Sequence, residues 1–205
     1  MAKKAKKSGK SGILRNLSAG SLQDDGLADE VVEAVLSDNT LFGEVYDAPL
    51  ESNDVVRAHA VDAIEKITRL RPDLLAGRLS ELCRISLNDE IPMVRWHMAM
   101  VLGHLAYREE NRDEIRPALL RLLEDPSVFV KSWAIVSLSI LGKLYREERG
   151  EILEHLSRHQ GDPSVAVSSK VRKAARVLSA DSEKIPGGWV KSAFVRRALG
   201  RSTLT

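Results

Sequence analysis

The chain of 205 residues is 43% hydrophobic, 29% charged and only 4% aromatic, which excludes a collagen-like, a fully disordered and a disulfide-rich protein. Cys83 is its one cysteine, so no internal disulfide can form, and no segment approaches the ~18 consecutive apolar residues of a membrane span. The N-terminal stretch has no apolar signal core. We therefore expect a soluble, cytoplasmic protein.

The net charge of +2 is unevenly distributed along the chain. Residues 1–22 carry six basic and no acidic residues, and residues 170–205 carry nine basic and two acidic residues, so the region between them is acidic. Such ends either act as solubilising tails or contact an anionic partner such as a nucleic acid. We predict that residues 1–22 form a flexible, lysine-rich leader.

The first predicted helix begins at Leu27 with the sequence LADEVVEAVLSD, and it can cap the segments that follow. Four further stretches have apolar residues at three- and four-residue spacing, which is typical of amphipathic helices. They begin at Thr40, Asp73, Arg112 and Arg146.

A second kind of helical segment alternates with these stretches and contains an anchoring valine. The anchors are 38, 36 and 37 residues apart: Val56, Val94, Val130 and Val167. Short turns with the sequences ESND, NDEIP, EDPS and GDPS precede the anchors, and their Asp, Ser and Pro residues favour a turn followed by a helix start. The predicted unit is a helical hairpin of about 37 residues, and such hairpins must stack on their neighbours to bury both faces.

The valine segments VVRAHAVDAI, MVRWHMAMVL and DPSVFVKSWAIVSL resemble the second helix of the HEAT repeat, which typically reads Asp-x-x-Val-Arg-x-x-Ala-x-x-Ala-Leu. The resemblance is weaker in the last repeat, where Ser168 replaces the basic residue and Arg172 an apolar one. The chain is also similar to a group of small bacterial HEAT-repeat proteins of no settled function. The resemblance implies an all-α fold, a right-handed armadillo-type α-solenoid of four to five hairpins over residues 23–180.

Residues 181–205 are predicted to be a linker and a C-terminal helix, because Pro186, Gly187 and Gly188 interrupt the helical pattern. One face of the helix is apolar and contains Trp189, Val190, Phe194, Val195 and Leu199. We expect it to cap the open apolar side of the last repeat. The alternative is a basic amphipathic helix that binds a membrane surface or a partner.

The HEAT resemblance implies that the second helices line the concave face. Because a helix turns 100° per residue, the positions two and six after each valine lie at about 200° and 240°, opposite the core, and the position three after it lies at about 300°, on the flank. We predict that a partner's apolar contacts are Trp96, Met100, Trp133 and Val136, and that hydrogen bonds and charge come from His59, His97, Lys170 and Lys173. The alternative is that these side chains cover each other or lie under the C-terminal segment.

A basic residue follows three of the anchoring valines: Arg57, Arg95 and Lys131. The resemblance implies that they pair with acids of a neighbouring turn, for which Asp54, Asp89, Glu90 and Asp125 are available. Recognition of an anionic ligand is the alternative.

The sequence contains no phosphate-binding glycine loop, no zinc-type cysteine pair and no nucleophile elbow. We predict no cofactor and no metal, and an inert thiol at Cys83. The expected function is that of a non-catalytic scaffold that binds a peptide or helix of a protein partner on the concave face. Two alternatives are nucleic-acid binding through the basic ends and the activity of HEAT-like DNA glycosylases, in which Trp96, Trp133 and Asp62 would line the cleft.

Overall fold

A computed structural model describes residues 8–202 of the chain, with side chains for residues 12–200. Every regular element in residues 8–202 is helical, which confirms the predicted all-α class. The chain divides into two compact units between Ile67 and Thr68. Over the same residues, no helix has both the length and the apolar composition that crossing a membrane requires.

The first unit contains four helices, and helix α4 extends one residue beyond the unit boundary. Large apolar side chains from each helix, including Leu17, Val31, Val45 and Ile64, form its core. Helix α4 begins where the Asn53 side-chain oxygen accepts hydrogen bonds from two backbone N–H groups. The helices are α1 (Ser8–Leu17), α2 (Ala28–Ser37), α3 (Phe42–Asp47) and α4 (Asp54–Thr68).

The start of the chain differs from the predicted flexible leader. Residues 1–7 of that leader lie outside the described residues. The remainder includes helix α1, which packs against α2 and α3 and buries Ile13 and Leu17. The folded unit therefore begins before residue 23, because two apolar side chains one helical turn apart anchor the first helix.

The second unit contains three helical hairpins and one further helix. In each hairpin a shorter first helix is joined by a tight turn to a longer second helix, and the second helices α6, α8 and α10 pack side by side. The helices are α5 (Leu79–Asn88), α6 (Pro92–Leu105), α7 (Arg112–Leu122), α8 (Val128–Leu144), α9 (Arg149–Ser157), α10 (Val165–Ser179) and α11 (Ala193–Ser202).

Two first helices are shorter than the sequence pattern predicted. Helix α5 begins at Leu79 because Gly77 adopts a φ of +72°, which ends the single 3₁₀ turn at Pro72–Leu75. Helix α9 begins at Arg149, after another 3₁₀ turn. Hydrophobic periodicity predicted that the two helices exist, whereas local backbone geometry determines where they begin.

The second helices approach closely within the second unit, and their anchoring valines are fully buried: Val94, Val130 and Val167. The Ser137 hydroxyl on α8 donates a 2.7 Å hydrogen bond to the carbonyl oxygen of Ala99 on α6. A Cβ atom on Gly103 would lie only 2.4 Å from the same hydroxyl oxygen. Glycine at this position therefore allows the two helices to pack at this distance.

Carboxylates in the turns connect consecutive hairpins. Asp125 Oδ1 accepts the Ser127 N–H at 2.8 Å, and Asp125 Oδ2 accepts the Arg95 Nε–H at 2.6 Å from the preceding second helix. The predicted base–acid pairing is thus confirmed for Arg95. Lys131 pairs instead with Asp162 in the following turn, an acid that the sequence analysis did not include.

The same two-sided arrangement recurs at Asp162. Its Oδ1 accepts the Ser164 N–H at 2.8 Å while its Oδ2 binds the Lys131 ammonium. Hydrogen bonding to Lys131, with a smaller contribution from the Ser164 N–H, lowers the pKa of the Asp162 carboxyl below its usual value. Each carboxylate therefore both shapes its own turn and binds the previous hairpin.

Candidate functional site

The candidate site lies on the second helices of the second unit. We use the term inner face for the outward-pointing positions of α6, α8 and α10, and the term C-terminal segment for residues 181–202. The structure divides the inner face into a covered half, near the C-terminal ends of these helices, and an open half near their N-terminal ends.

The C-terminal segment lies over the covered half. Val136 and Ile140 of α8 are each 1% exposed, and they form a buried apolar cluster with Val190 and Val195 of the C-terminal segment. Partly buried side chains surround this cluster: Tyr107, Trp133, Leu144, Ile185, Trp189 and Leu199. The structure therefore shows that the C-terminal segment covers this half of the inner face, which was one of the two alternatives.

Two ring contacts hold the C-terminal segment against α6 and α8. The rings of Tyr107 and Phe194 are 5.6 Å apart, and the Lys191 ammonium lies 5.0 Å from the centre of the Trp133 ring. Helix α11 packs mainly on α8 and α6. Helix α11 was expected to cap the open apolar side of the last repeat. Its apolar side chains instead pack on α8 and α6, which belong to earlier repeats.

Met100 and Val136, which were predicted as apolar contacts of a partner, are buried in the structure. Met100 is 4% exposed and Val136 is 1% exposed. The helical wheel gives the direction in which a side chain leaves its own helix, but it does not show whether another segment of the chain covers that side chain. Val136 is inaccessible because the C-terminal segment covers it.

The open half contains a pair of aromatic rings from neighbouring helices. Trp96 of α6 and Phe129 of α8 are 4.7 Å apart with a tilt of 46°, and Phe129 is 59% exposed. Phe129 was not among the predicted contacts, because the helical wheel was applied only to positions after each valine. Phe129 directly precedes Val130, which places it at about 260° on the wheel, on the same side as the predicted positions.

Helix α10 contributes positive charge to the inner face. Its four basic residues include the predicted Lys170 and Lys173, and it contains no acidic residue. Lys170 is partly exposed and Lys173 is exposed. The structure thus leaves both lysines accessible on the helix that packs directly against α8.

The two histidines predicted as polar contacts are both buried. His97 is 8% exposed, and its Nδ1 lies 3.0 Å from the carbonyl oxygen of Met93. His59 belongs to the first unit, where its ring nitrogens lie 3.0 Å from the Leu17 oxygen and 2.9 Å from the Asp24 oxygen. His59 is fully buried and holds the turn after α1, so it is not accessible to a partner.

Two side chains considered for chemistry have structural environments. Asp62 is 5% exposed and lies 2.8 Å from the Lys66 ammonium, which also binds Asp29 at 2.6 Å. Burial, together with the nearby charge of Glu114, raises the pKa of the Cys83 thiol to about 12. This thiol is protonated at neutral pH, so it is a poor nucleophile.

The stacked hairpins of the second unit define a helical-repeat protein of the armadillo type. A model of HEAT repeats matches residues 79–178, so the stretch from α5 to α10 is similar to HEAT repeats. No curated protein sequence matches the chain.

Two designed proteins have a similar fold. The designed armadillo repeat protein YIII(Dq)4CqI is 19% identical with a TM-score of 0.56, and the match covers 82% of this chain and 81% of that one. A structure of computationally designed armadillo repeat proteins for modular peptide recognition is 18% identical with a TM-score of 0.58, over the same shares of the two chains. At these identities the similarity shows the fold alone.

Proposed function

We propose that this protein is a non-catalytic interaction protein that binds an acidic peptide segment of a partner on the open half of its inner face. The observation that carries the proposal is the contact between the half-buried Trp96 and the exposed Phe129, whose helix α8 packs beside α10, a helix whose charged residues are all basic. The match of residues 79–178 to a model of HEAT repeats and the fold shared with proteins designed for peptide recognition support it.

The aromatic pair supplies the anchor for a peptide. A large side chain such as Phe129 gains free energy when a partner removes it from water, and aromatic residues dominate many interfaces for this reason. Its contact with Trp96 orders both rings before binding, which lowers the entropy lost on association. An apolar or aromatic side chain of the peptide would pack against these rings.

The charged residues of the open half determine the kind of peptide. Lys170 and Lys173 on α10 are accessible, whereas the basic residue nearest to Trp96, Arg95, is already neutralised by Asp125. Complementary charge accelerates association and selects partners, so acidic residues should flank the apolar anchor.

A peptide-display selection against the full chain tests this proposal. We expect the enriched peptides to be acidic with one apolar or aromatic anchor, and their affinities are then measured by fluorescence anisotropy. Phe129→Ala and Trp96→Ala should each weaken binding by about tenfold or more, as expected for central aromatic contacts. Lys170→Glu combined with Lys173→Glu should weaken binding further and reduce its salt dependence.

The matched control is Val165→Ser, because Val165 is 79% exposed at the start of α10 but does not belong to the aromatic pair. It should leave affinity unchanged. Because Phe129 is largely exposed, Phe129→Ala should alter the free energy of unfolding by no more than about 0.5 kcal/mol. Selection of peptides without acidic residues, or equal losses in Val165→Ser and Phe129→Ala, would contradict the proposal.

Nucleic-acid binding is tested by the same fluorescence anisotropy measurement, with duplex and single-stranded oligonucleotides in place of the peptides. Arg196 and Arg197 of α11 are exposed and provide part of the positive charge that this alternative requires. Oligonucleotide binding that falls steeply with salt and survives Phe129→Ala would favour it over peptide binding. The glycosylase alternative is not proposed further, because Asp62 is buried and ion-paired with Lys66.

A further inference from the structure

A cavity of about 820 Å³ lies in the second unit, between the corner that joins α8 to α9 and the C-terminal segment. Small-molecule sites usually have volumes of roughly 300–1,000 Å³, with apolar walls and a few polar groups that orient the ligand. None of the residues lining this cavity belongs to the open half of the inner face, so the two sites are separate.

The walls of the cavity differ in chemistry. The C-terminal segment provides apolar side chains from Ile185, Val190 and Leu199, while the α8–α9 corner provides basic ones. Arg196 of α11 adds a guanidinium group to the lining. A cavity that combines apolar side chains with an excess of cations matches a molecule with an apolar chain and an anionic head.

Positive charge in the lining exceeds negative charge, with five basic and two acidic residues. Asp181 accepts a hydrogen bond from Arg149 Nη1 at 2.6 Å and also binds Arg146. The Lys143 ammonium donates to three backbone carbonyl oxygens at 2.9–3.2 Å, so a carboxylate does not neutralise it directly.

The cations of this corner repel one another, and two of them, Lys143 and Arg149, are largely buried. Burial, followed by the charge of Arg149, lowers the pKa of Lys143, and burial together with Arg146 lowers the pKa of Arg149. An anion bound in the cavity would interact favourably with all three groups.

Arg196 is positioned to contact such an anion directly. Its Nη1 donates to the carbonyl oxygen of Val190 at 3.0 Å, and among the described residues no carboxylate pairs with it. Its Nε and Nη2 hydrogens therefore remain for a ligand. A guanidinium group can bind phosphate or carboxylate oxygens through two parallel hydrogen bonds.

We propose that this cavity binds a small amphiphilic anion. A phosphate or carboxylate head contacts Arg196 and lies near the cations of the α8–α9 corner, and its apolar chain lies along Val190 and Leu199. Decyl phosphate, used below its micellar concentration with the full-length protein, is the probe, and isothermal titration calorimetry gives its affinity. Inorganic phosphate lacks the apolar chain and decanol lacks the anionic head, so each should bind at least about tenfold more weakly than decyl phosphate.

Arg196→Gln tests the contact with the anion, and Arg197→Gln is its matched control on the same helix, because Arg197 does not line this cavity. The loss of a charge-assisted hydrogen bond should weaken decyl phosphate binding by about tenfold or more in Arg196→Gln. Arg197→Gln should bind as the unaltered protein does. Both arginines are exposed, so neither substitution should unfold the chain.

Methyl NMR spectra locate the apolar chain, since the signals of Val190 and Leu199 should shift on titration while those of Val165 should not. Leu199→Asn should weaken decyl phosphate more than it weakens inorganic phosphate. The proposal is overturned if saturable binding is absent, if decanol binds as tightly as decyl phosphate, or if Arg196→Gln and Arg197→Gln have equal affinities.

Discussion

The two halves of the inner face both include side chains of α8 but are completed in different ways. The covered half is closed by apolar packing between α8 and the C-terminal segment, around Val136 and Val195. The open half lies next to charged turns and leaves Phe129 largely exposed. Repeated helices therefore do not imply a uniform surface, because the segment that follows the repeats determines which part remains available.

The two halves also differ in the interactions that stabilise them. Packing in the covered half is apolar and depends little on salt or pH. The turns beside the open half depend on carboxylate–cation contacts at Asp125 and Asp162, which do respond to pH. Perturbations of the two halves should therefore have distinguishable effects.

The largest expected effect is that of Val195→Asp, which breaks the covered half. Val195 is fully buried, and an unpaired carboxylate in its place costs at least about 2 kcal/mol. We expect the C-terminal segment to detach, with faster hydrogen exchange at residues 190–200 and increased binding of an apolar dye, while the hairpins still unfold cooperatively. Ala193→Asp, at an exposed position of the same helix, is the control. Retained amide protection in Val195→Asp would show that the apolar cluster does not hold the segment.

A smaller effect is expected from Asp125→Asn beside the open half. The amide keeps an oxygen for the Ser127 N–H but removes the charge opposite Arg95, and both side chains of the pair are largely buried. The free energy of unfolding in urea should fall by about 1–3 kcal/mol. Asp113→Asn, in which the replaced carboxylate is 82% exposed, should change it by no more than about 0.5 kcal/mol. Equal effects of the two substitutions would disprove a specific role for the turn carboxylate.

The smallest effect is the pH dependence that Asp162 contributes. Its pKa is lowered in the folded state, so its stabilisation is complete above the pKa of the unfolded carboxyl, about 3.9, and is lost as pH falls through the lower folded value. The difference in unfolding free energy between the unaltered protein and Asp162→Asn should therefore shrink as the pH falls from about 5 to about 2. A difference that is constant over this range would contradict the assigned ion pair with Lys131.

Much of the fold could be predicted because the information is local. The valine anchors and the amphipathic spacing indicated the hairpins of the second unit, and Arg95 was correctly paired with an acid of a neighbouring turn. Burial of Val136 under the C-terminal segment was only one of two alternatives that the sequence left open, since the contact depends on residues more than 50 positions later in the chain. Phe129 was predictable from the same helical wheel, had the position before the valine been included.

The turn carboxylates give the series of hairpins a direction. The second helices α6 and α8 each present a cation to the carboxylate of the next turn, as Arg95 does to Asp125 and Lys131 does to Asp162. In α10 the corresponding residue is Ser168, which has no charge to offer. A further hairpin docked beyond α10 would leave its turn carboxylate without this cation. The polar junctions thus give the hairpins from α5 to α10 a fixed order, with each cation on the earlier hairpin and each carboxylate on the later one.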